Sequence, residues 1–289
     1  MKRQIFIHIG THKTGTTSIQ SLLCQRASRL QRIGIHVPQA GRAFPNFAGH
    51  HNIGWMLRGD ERANPALGGP DELAAELAGT TAHKAVISAE GLQFLVERPE
   101  LIEKLEHTLQ QVGWQASYVV FLRDPANYAI SLYNEMLKLQ PDLSLADFTA
   151  PILQQGRFLR FDDNSFYFDY EAFLARWRTG GRGQIDIYSY NTASAGIGVP
   201  ETFLTAIGAP AALSITRQAR TPRQVWGDMM ARMRRSSASP TFSAARLNQN
   251  ENPVTDEMRQ QAERIGAAFQ PGFERLTAHC NRPNVLKQN

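Results

Sequence analysis

Cysteine is nearly missing from this chain: its 289 residues hold two, Cys24 and Cys280. Two thiols so far apart suggest neither a metal cluster nor a disulfide framework, so a reducing compartment is the expectation. Long apolar runs are missing too. Behind the basic start Met1-Lys2-Arg3 the apolar stretch lasts only from Ile5 to Ile9 and is broken by His8, too short for a secretory leader, and no later segment is long enough to span a bilayer. A cytoplasmic protein follows as the expectation. There are no internal repeats and no dense Lys/Arg run or basic-aromatic alternation, which argues against nucleic acid. Charge is only mildly unbalanced, with 31 Lys and Arg against 26 Asp and Glu for a net +5. That suits an anionic ligand and equally an ordinary basic protein. The length fits one large α/β domain or two small ones.

What is present concentrates near the start. Ile5 to Ile9 reads as a buried strand, the chain breaks at Gly10, and after Gly15 the spacing of Ile19, Leu22 and Leu23 fits one face of a helix. Between the glycines lie small polar residues and Lys13. Such a strand-loop-helix can wrap its N–H groups around an oxyanion at the positive end of the helix. The glycine separation matches a Walker phosphate loop, yet Thr16 stands where that loop has its lysine, which speaks against a nucleotide triphosphatase. The run Lys13-Thr14-Gly15-Thr16-Thr17 directly after an apolar strand resembles the loop with which sulfotransferases bind the 5′-phosphosulfate of 3′-phosphoadenosine 5′-phosphosulfate.

A second stretch carries the same resemblance. Ala116 to Leu122 is another buried-strand run, followed by Arg123-Asp124-Pro125, with Asp124 as N-cap and Pro125 at the first helical position. Ser131 lies eight residues after Arg123. In sulfotransferases this pattern binds the 3′-phosphate, Arg123 supplying the fork and Ser131 a hydroxyl.

The resemblance covers about residues 4 to 210 and implies a three-layer α/β/α fold on a central parallel sheet, in a single domain over 1–289. Residues 211–289 would form a helical extension closing over the cofactor, with Arg217 and Arg220 as its basic contacts. The glycine-rich Arg-Lys-Gly signature of the cytosolic steroid and phenol branch is absent. The resemblance further implies that His12, Lys13, Thr14, Gly15, Thr16 and Thr17 hold the phosphosulfate. Lys13 would also stabilise charge on the bridging oxygen, and in-line transfer would proceed without a metal, leaving 3′-phosphoadenosine 5′-phosphate.

The acceptor side is less marked. Residues 39–70 are irregular and rich in Gly, Pro, Asn and Arg, a length that suggests a site cover. His50 and His51 there are candidates for substrate binding or proton transfer, His51 as an alternative base. Arg42, Arg58 and Arg62 are candidates to meet an acidic acceptor; all of them equally suit a solvated loop. His83 to Leu92 reads as a buried strand ending in Ser88-Ala89-Glu90, which puts Glu90 on the rim where α/β sheets place ligands and makes it the candidate general base, as in the sulfotransferase pattern, or else a cap or ion-pair partner. Residues 156–170 interleave aromatics with Arg and Asp. Phe166 and Tyr167 there suit either a sugar face or a loop tucked into the core. Amphipathic or capped helices are expected over 71–78, 99–111, 125–139, 143–155, 170–178, Val225 to Met233 and 254–269, and a strand over 185–190.

A carbohydrate or glycolipid hydroxyl, or an amine, is therefore the expected acceptor. Two other classes stay open: a small-molecule kinase of P-loop architecture using magnesium and ATP, and a catalytically silent nucleotide-binding module.

Overall fold

The structure is a computed structural model and describes residues 2–43, 49–160, 164–213 and 254–278. Five strands make one parallel sheet: β1 (Arg3–Ile9), β2 (Ile35–His36), β3 (Lys84–Ala89), β4 (Trp114–Leu122) and β7 (Gln184–Ser189), in the spatial order β2-β3-β1-β4-β7. β1 is central, with Ile9 opposite Ala89 on one side and Val120 on the other. The inner strands β1, β3 and β4 are largely buried, mainly apolar runs because helices cover both faces.

Alternation along β1 sorts the two cores. Ile5, Ile7 and Ile9 join Leu105 and Leu109 of α4 (Pro99–Gln111), while Phe6 joins Ile19 and Leu22 of α1 (Thr16–Arg32) and Phe203 of α9 (Val199–Ala206). The fold is therefore α/β/α around a parallel sheet, as the resemblance implied. From β1 the chain turns towards β2 and β3, and from β4 it turns towards β7, so a crevice opens at the carboxyl ends of β1 and β4. The loop after β1 and the Arg123 turn both lie there.

The remaining elements are α2 (His51–Arg58), α3 (Pro70–Gly79), α5 (Pro125–Leu139), α6 (Leu145–Gln155), α7 (Tyr170–Gly180), α8 (Tyr190–Ala195) and α10 (Asp256–Thr277). The expected caps form: Asp124 accepts the Asn127 N–H at 2.9 Å and Ser144 the Asp147 N–H at 3.0 Å. The irregular stretch contains α2 and a 3₁₀ turn over Pro65–Leu67. Two expectations need correction. The aromatic segment is a hairpin of β5 (Arg157–Arg160) and β6 (Asn164–Tyr167). The last helix runs past Pro271 to Thr277, because Phe273 and Thr277 are buried beyond the proline and their packing outweighs the lost backbone hydrogen bond.

Arg217, Arg220, the helix expected from Val225 to Met233, the connection over 236–253 and Cys280 lie outside the described residues. Among the described residues, no helix is long and apolar enough to cross a membrane.

Candidate active site

The loop after β1 is held from three sides. Gly10 donates to the Ala89 carbonyl at 3.1 Å, Thr11 donates through its hydroxyl to the Phe121 carbonyl, and the His12 N–H meets Gln93 Oε1 at 3.2 Å. A Cβ on Gly10 would stand 2.8 Å from Thr16 Cγ2 and 3.0 Å from Glu90 Cα. Only glycine lets the loop and Glu90 approach this closely. Gly15 takes a left-handed conformation, φ 78°, and opens α1 without a side-chain cap. Among the described residues, the backbone N–H groups of residues 13–17 meet no main-chain carbonyl outside α1. They are donors available to an oxyanion at a helix N-terminus.

The threonines divide. The Thr14 hydroxyl is buried and donates to the Thr11 carbonyl at 2.5 Å, and that of buried Thr16 lies 3.5 Å from the same carbonyl. Both hydroxyls therefore brace the loop, while Thr17 is half-buried. Lys13, the single non-glycine residue with positive φ among those described, at 62°, lies at the loop's apex.

The second motif reaches the first directly. Arg123 Nη1 donates to the Lys13 carbonyl at 3.0 Å across 110 residues of sequence. Its guanidinium lies 5.2 Å from the centroid of the Tyr190 ring, and its Nε is buried without a partner. Tyr190 also approaches Gly15, where an added Cβ would meet its ring at 3.4 Å. Ser131 is half-buried in the second turn of α5.

Glu90 opens the 3₁₀ helix Glu90–Glu97 at the end of β3. Burial pushes its carboxyl up to about 7; the nearby Lys13 charge opposes that rise and Glu135 adds to it. Glu135, on α5, lies 3.4 Å from Lys13 Nζ. No sequence motif marks Glu135, Gln93 or Tyr190 as site residues, although the four-residue offset of Glu135 from Ser131 puts both on one helix face.

The histidines are distributed differently from the expectation. His50 is fully buried, with Nε2 donating to the Pro38 carbonyl at 3.0 Å and Nδ1 accepting the Ser88 N–H at 3.2 Å. Both ring nitrogens are thus engaged by backbone groups. Burial, reinforced by His50, Arg62 and His12, brings His51 down to about 3. Its ring stacks on Trp55 at 5.7 Å. The His12 ring turns away from the loop's outer face and packs edge-on to Phe166 at 4.9 Å and against Phe94 at 5.4 Å. Burial lowers it to about 4.

Phe166 and Tyr167 are likewise drawn inward. Phe166 is buried in that ring cluster, and the Tyr167 hydroxyl donates to Glu97 at 2.8 Å. The Arg58 guanidinium lies 5.2 Å from the Phe94 ring centroid and donates to Asn164 at 2.7 Å. Trp55 lies beside Gly91, its Nε1 3.9 Å from where a Cβ on Gly91 would stand. Arg62 lies 5.1 Å from its ring centroid. Behind the loop, Thr11, His12, Thr14, Gln93, Ser165 and Tyr170 line a small cavity; His12 Nδ1 and Gln93 Nε2 are buried without partners.

No protein-family model matches the sequence, and no curated protein matches it significantly. Among solved structures, the chain is similar to the crystal structure of a sulfotransferase from Alicyclobacillus acidocaldarius, at 16% identity over 80% of this chain and 93% of that one, with a TM-score of 0.46. A likeness so remote carries no argument about chemistry.

Proposed function

We propose that this chain is a sulfotransferase that moves the sulfuryl group of 3′-phosphoadenosine 5′-phosphosulfate to a hydroxyl or amine of an acceptor. The observation that carries the reading is the hydrogen bond from Arg123 to the Lys13 carbonyl, which joins two phosphate-binding motifs at one crevice. The donors fit a doubly anionic nucleotide. Lys13 and the N–H groups of residues 14–17 would hold one anion, and Arg123, whose Nε lacks a partner, would hold the other with Ser131.

When bound, the nucleotide supplies an activated sulfuryl group whose sulfur–oxygen bond to phosphate breaks as the acceptor oxygen bonds to sulfur. Glu90 takes the acceptor proton. A base works best when its conjugate acid titrates near the working pH, so Glu90, at about 7, is better suited than His51, at about 3. Lys13 and the loop N–H groups then meet the charge left on the phosphate oxygen. The half-buried Trp55 ring beside Gly91 is itself packed by the His51 ring and the Arg62 guanidinium, so the carbohydrate or glycolipid acceptor rests on the composition of the segments around the crevice.

The test is calorimetric titration of metal-free protein with 3′-phosphoadenosine 5′-phosphate, beside magnesium-ATP, for the wild type, Lys13→Ala and Arg123→Ala. Metal-independent binding of the bisphosphate, weakened by both substitutions, is expected. A preference for magnesium-ATP, or indifference to Arg123, would overturn the reading in favour of the kinase. In an acceptor assay, Lys13→Ala should slow transfer roughly 10²- to 10³-fold.

A further inference from the structure

Glu135 belongs to neither phosphate motif, yet it sets where the Lys13 side chain lies. Its Oε2 is 3.4 Å from Lys13 Nζ and 3.0 Å from Lys138 Nζ. The first contact is the sheltered one, since Lys13 and Glu135 side chains are 31% and 22% exposed, whereas Lys138 is 58% exposed. The other end of the same lysine is pinned by Arg123 through the backbone carbonyl. Both restraints come from one segment of chain, Arg123 just before α5 and Glu135 within it. A lysine in the left-handed region is strained and persists where its surroundings over-determine it. Here they do so at both ends.

The need for such a restraint follows from the charges. The Lys13 ammonium is faced by Glu90 from the 3₁₀ helix and by Glu135 and Lys138 from α5, with His12 beside it in the loop. Left alone with Glu90, the ammonium would close onto it as an ion pair, and Glu90 would lose its proton affinity and its use as a base. A second carboxylate on the far side offers the ammonium another partner. We propose that Glu135 is a positioning residue for Lys13, holding the ammonium on the α5 side of the loop and away from Glu90. This rests on the sulfotransferase reading for its consequence in catalysis, but not for the restraint itself.

The restraint is measured on ligand-free protein by hydrogen–deuterium exchange of the peptide spanning residues 10–20. Glu135→Gln should speed its exchange several-fold, Glu135→Asp should restore part of the protection, and Lys138→Ala should leave it unchanged. In a Lys13→Met background, Glu135→Gln should add nothing. Catalysis is measured by single-turnover transfer, with roughly a five- to tenfold loss expected for Glu135→Gln, the ascending limb of the pH profile moved to lower pH, and bisphosphate binding retained. Unchanged exchange in Glu135→Gln overturns the proposal whatever the activity, as does looser exchange with transfer within twofold of wild type. A loosened loop in a protein that does not bind the bisphosphate supports the restraint and overturns the sulfotransferase reading instead.

Discussion

Burial holds the Glu90 carboxyl near pH 7, and two opposite consequences follow. Under the proposed function the ionised form acts as the base, so transfer should rise with pH through about 7 and level off above it, and Glu90→Gln should remove roughly 10²- to 10⁴-fold of the rate while leaving bisphosphate binding intact. For stability the sign is reversed. The folded protein binds this proton more tightly than the unfolded chain, whose ordinary value is 4.5, so stability is greatest below that value and falls as pH rises towards 7. Glu90→Gln should therefore raise the melting temperature at pH 8 and change it little at pH 4. Thermal melts at the two pH values check this; an equal shift at both would show that burial is not the cause. Glu90 itself was legible as a strand-end carboxylate. Its altered proton affinity was not, because it comes from groups the sequence places far away.

Short elements here are fixed by side chains that satisfy backbone donors. Glu76 of α3 accepts the N–H groups of Gln39 at 2.9 Å and Ala40 at 2.8 Å, and the His36 ring at 2.9 Å. Burial alone would push this carboxyl up, but those hydrogen bonds bring it down to about 2. A lowered value means the contribution is present above 4.5 and lost as pH falls towards 2. Glu76→Gln should cost about 1–2 kcal/mol at pH 7, read by urea unfolding, with the difference from wild type shrinking through that window. Helices α4 and α5 stood out in the sequence because caps and spacing act within a turn or two. The β5–β6 hairpin did not, since its short strands alternate weakly and are defined by each other. The Phe166 ring packs with His12 and Phe94 and the Tyr167 hydroxyl is engaged by Glu97, arrangements that composition does not separate from those of sugar-binding residues.

Helices α4 and α7 meet at Gly180 with no room for added volume. A Cβ on Gly180, the last residue of α7, would stand 1.9 Å from the Pro99 carbonyl oxygen at the start of α4. Gly180→Ala must separate these two helices, both packed on the same sheet face as Trp177 and Ile102. A loss of about 1–3 kcal/mol or more is expected, measured as a lower denaturation midpoint, and an unchanged midpoint would show that the two helices are not held this closely. The crevice is also a property of the whole chain. It exists because β1 sends the chain one way across the sheet and β4 the other.

By itself the sequence determined the parallel-strand pattern, the glycine loop after β1, the Arg123 turn and the carboxylate after β3. Each depends on interactions between residues a few positions apart, where φ/ψ preference, capping and periodicity act. Only the tertiary structure decided that Arg123 lies on the loop, that His50 and His12 turn inward while Trp55 lies beside Gly91, and that Glu135 pairs with Lys13. Those outcomes depend on desolvation and charge proximity, which are set by distance in space and leave no periodic trace along the chain.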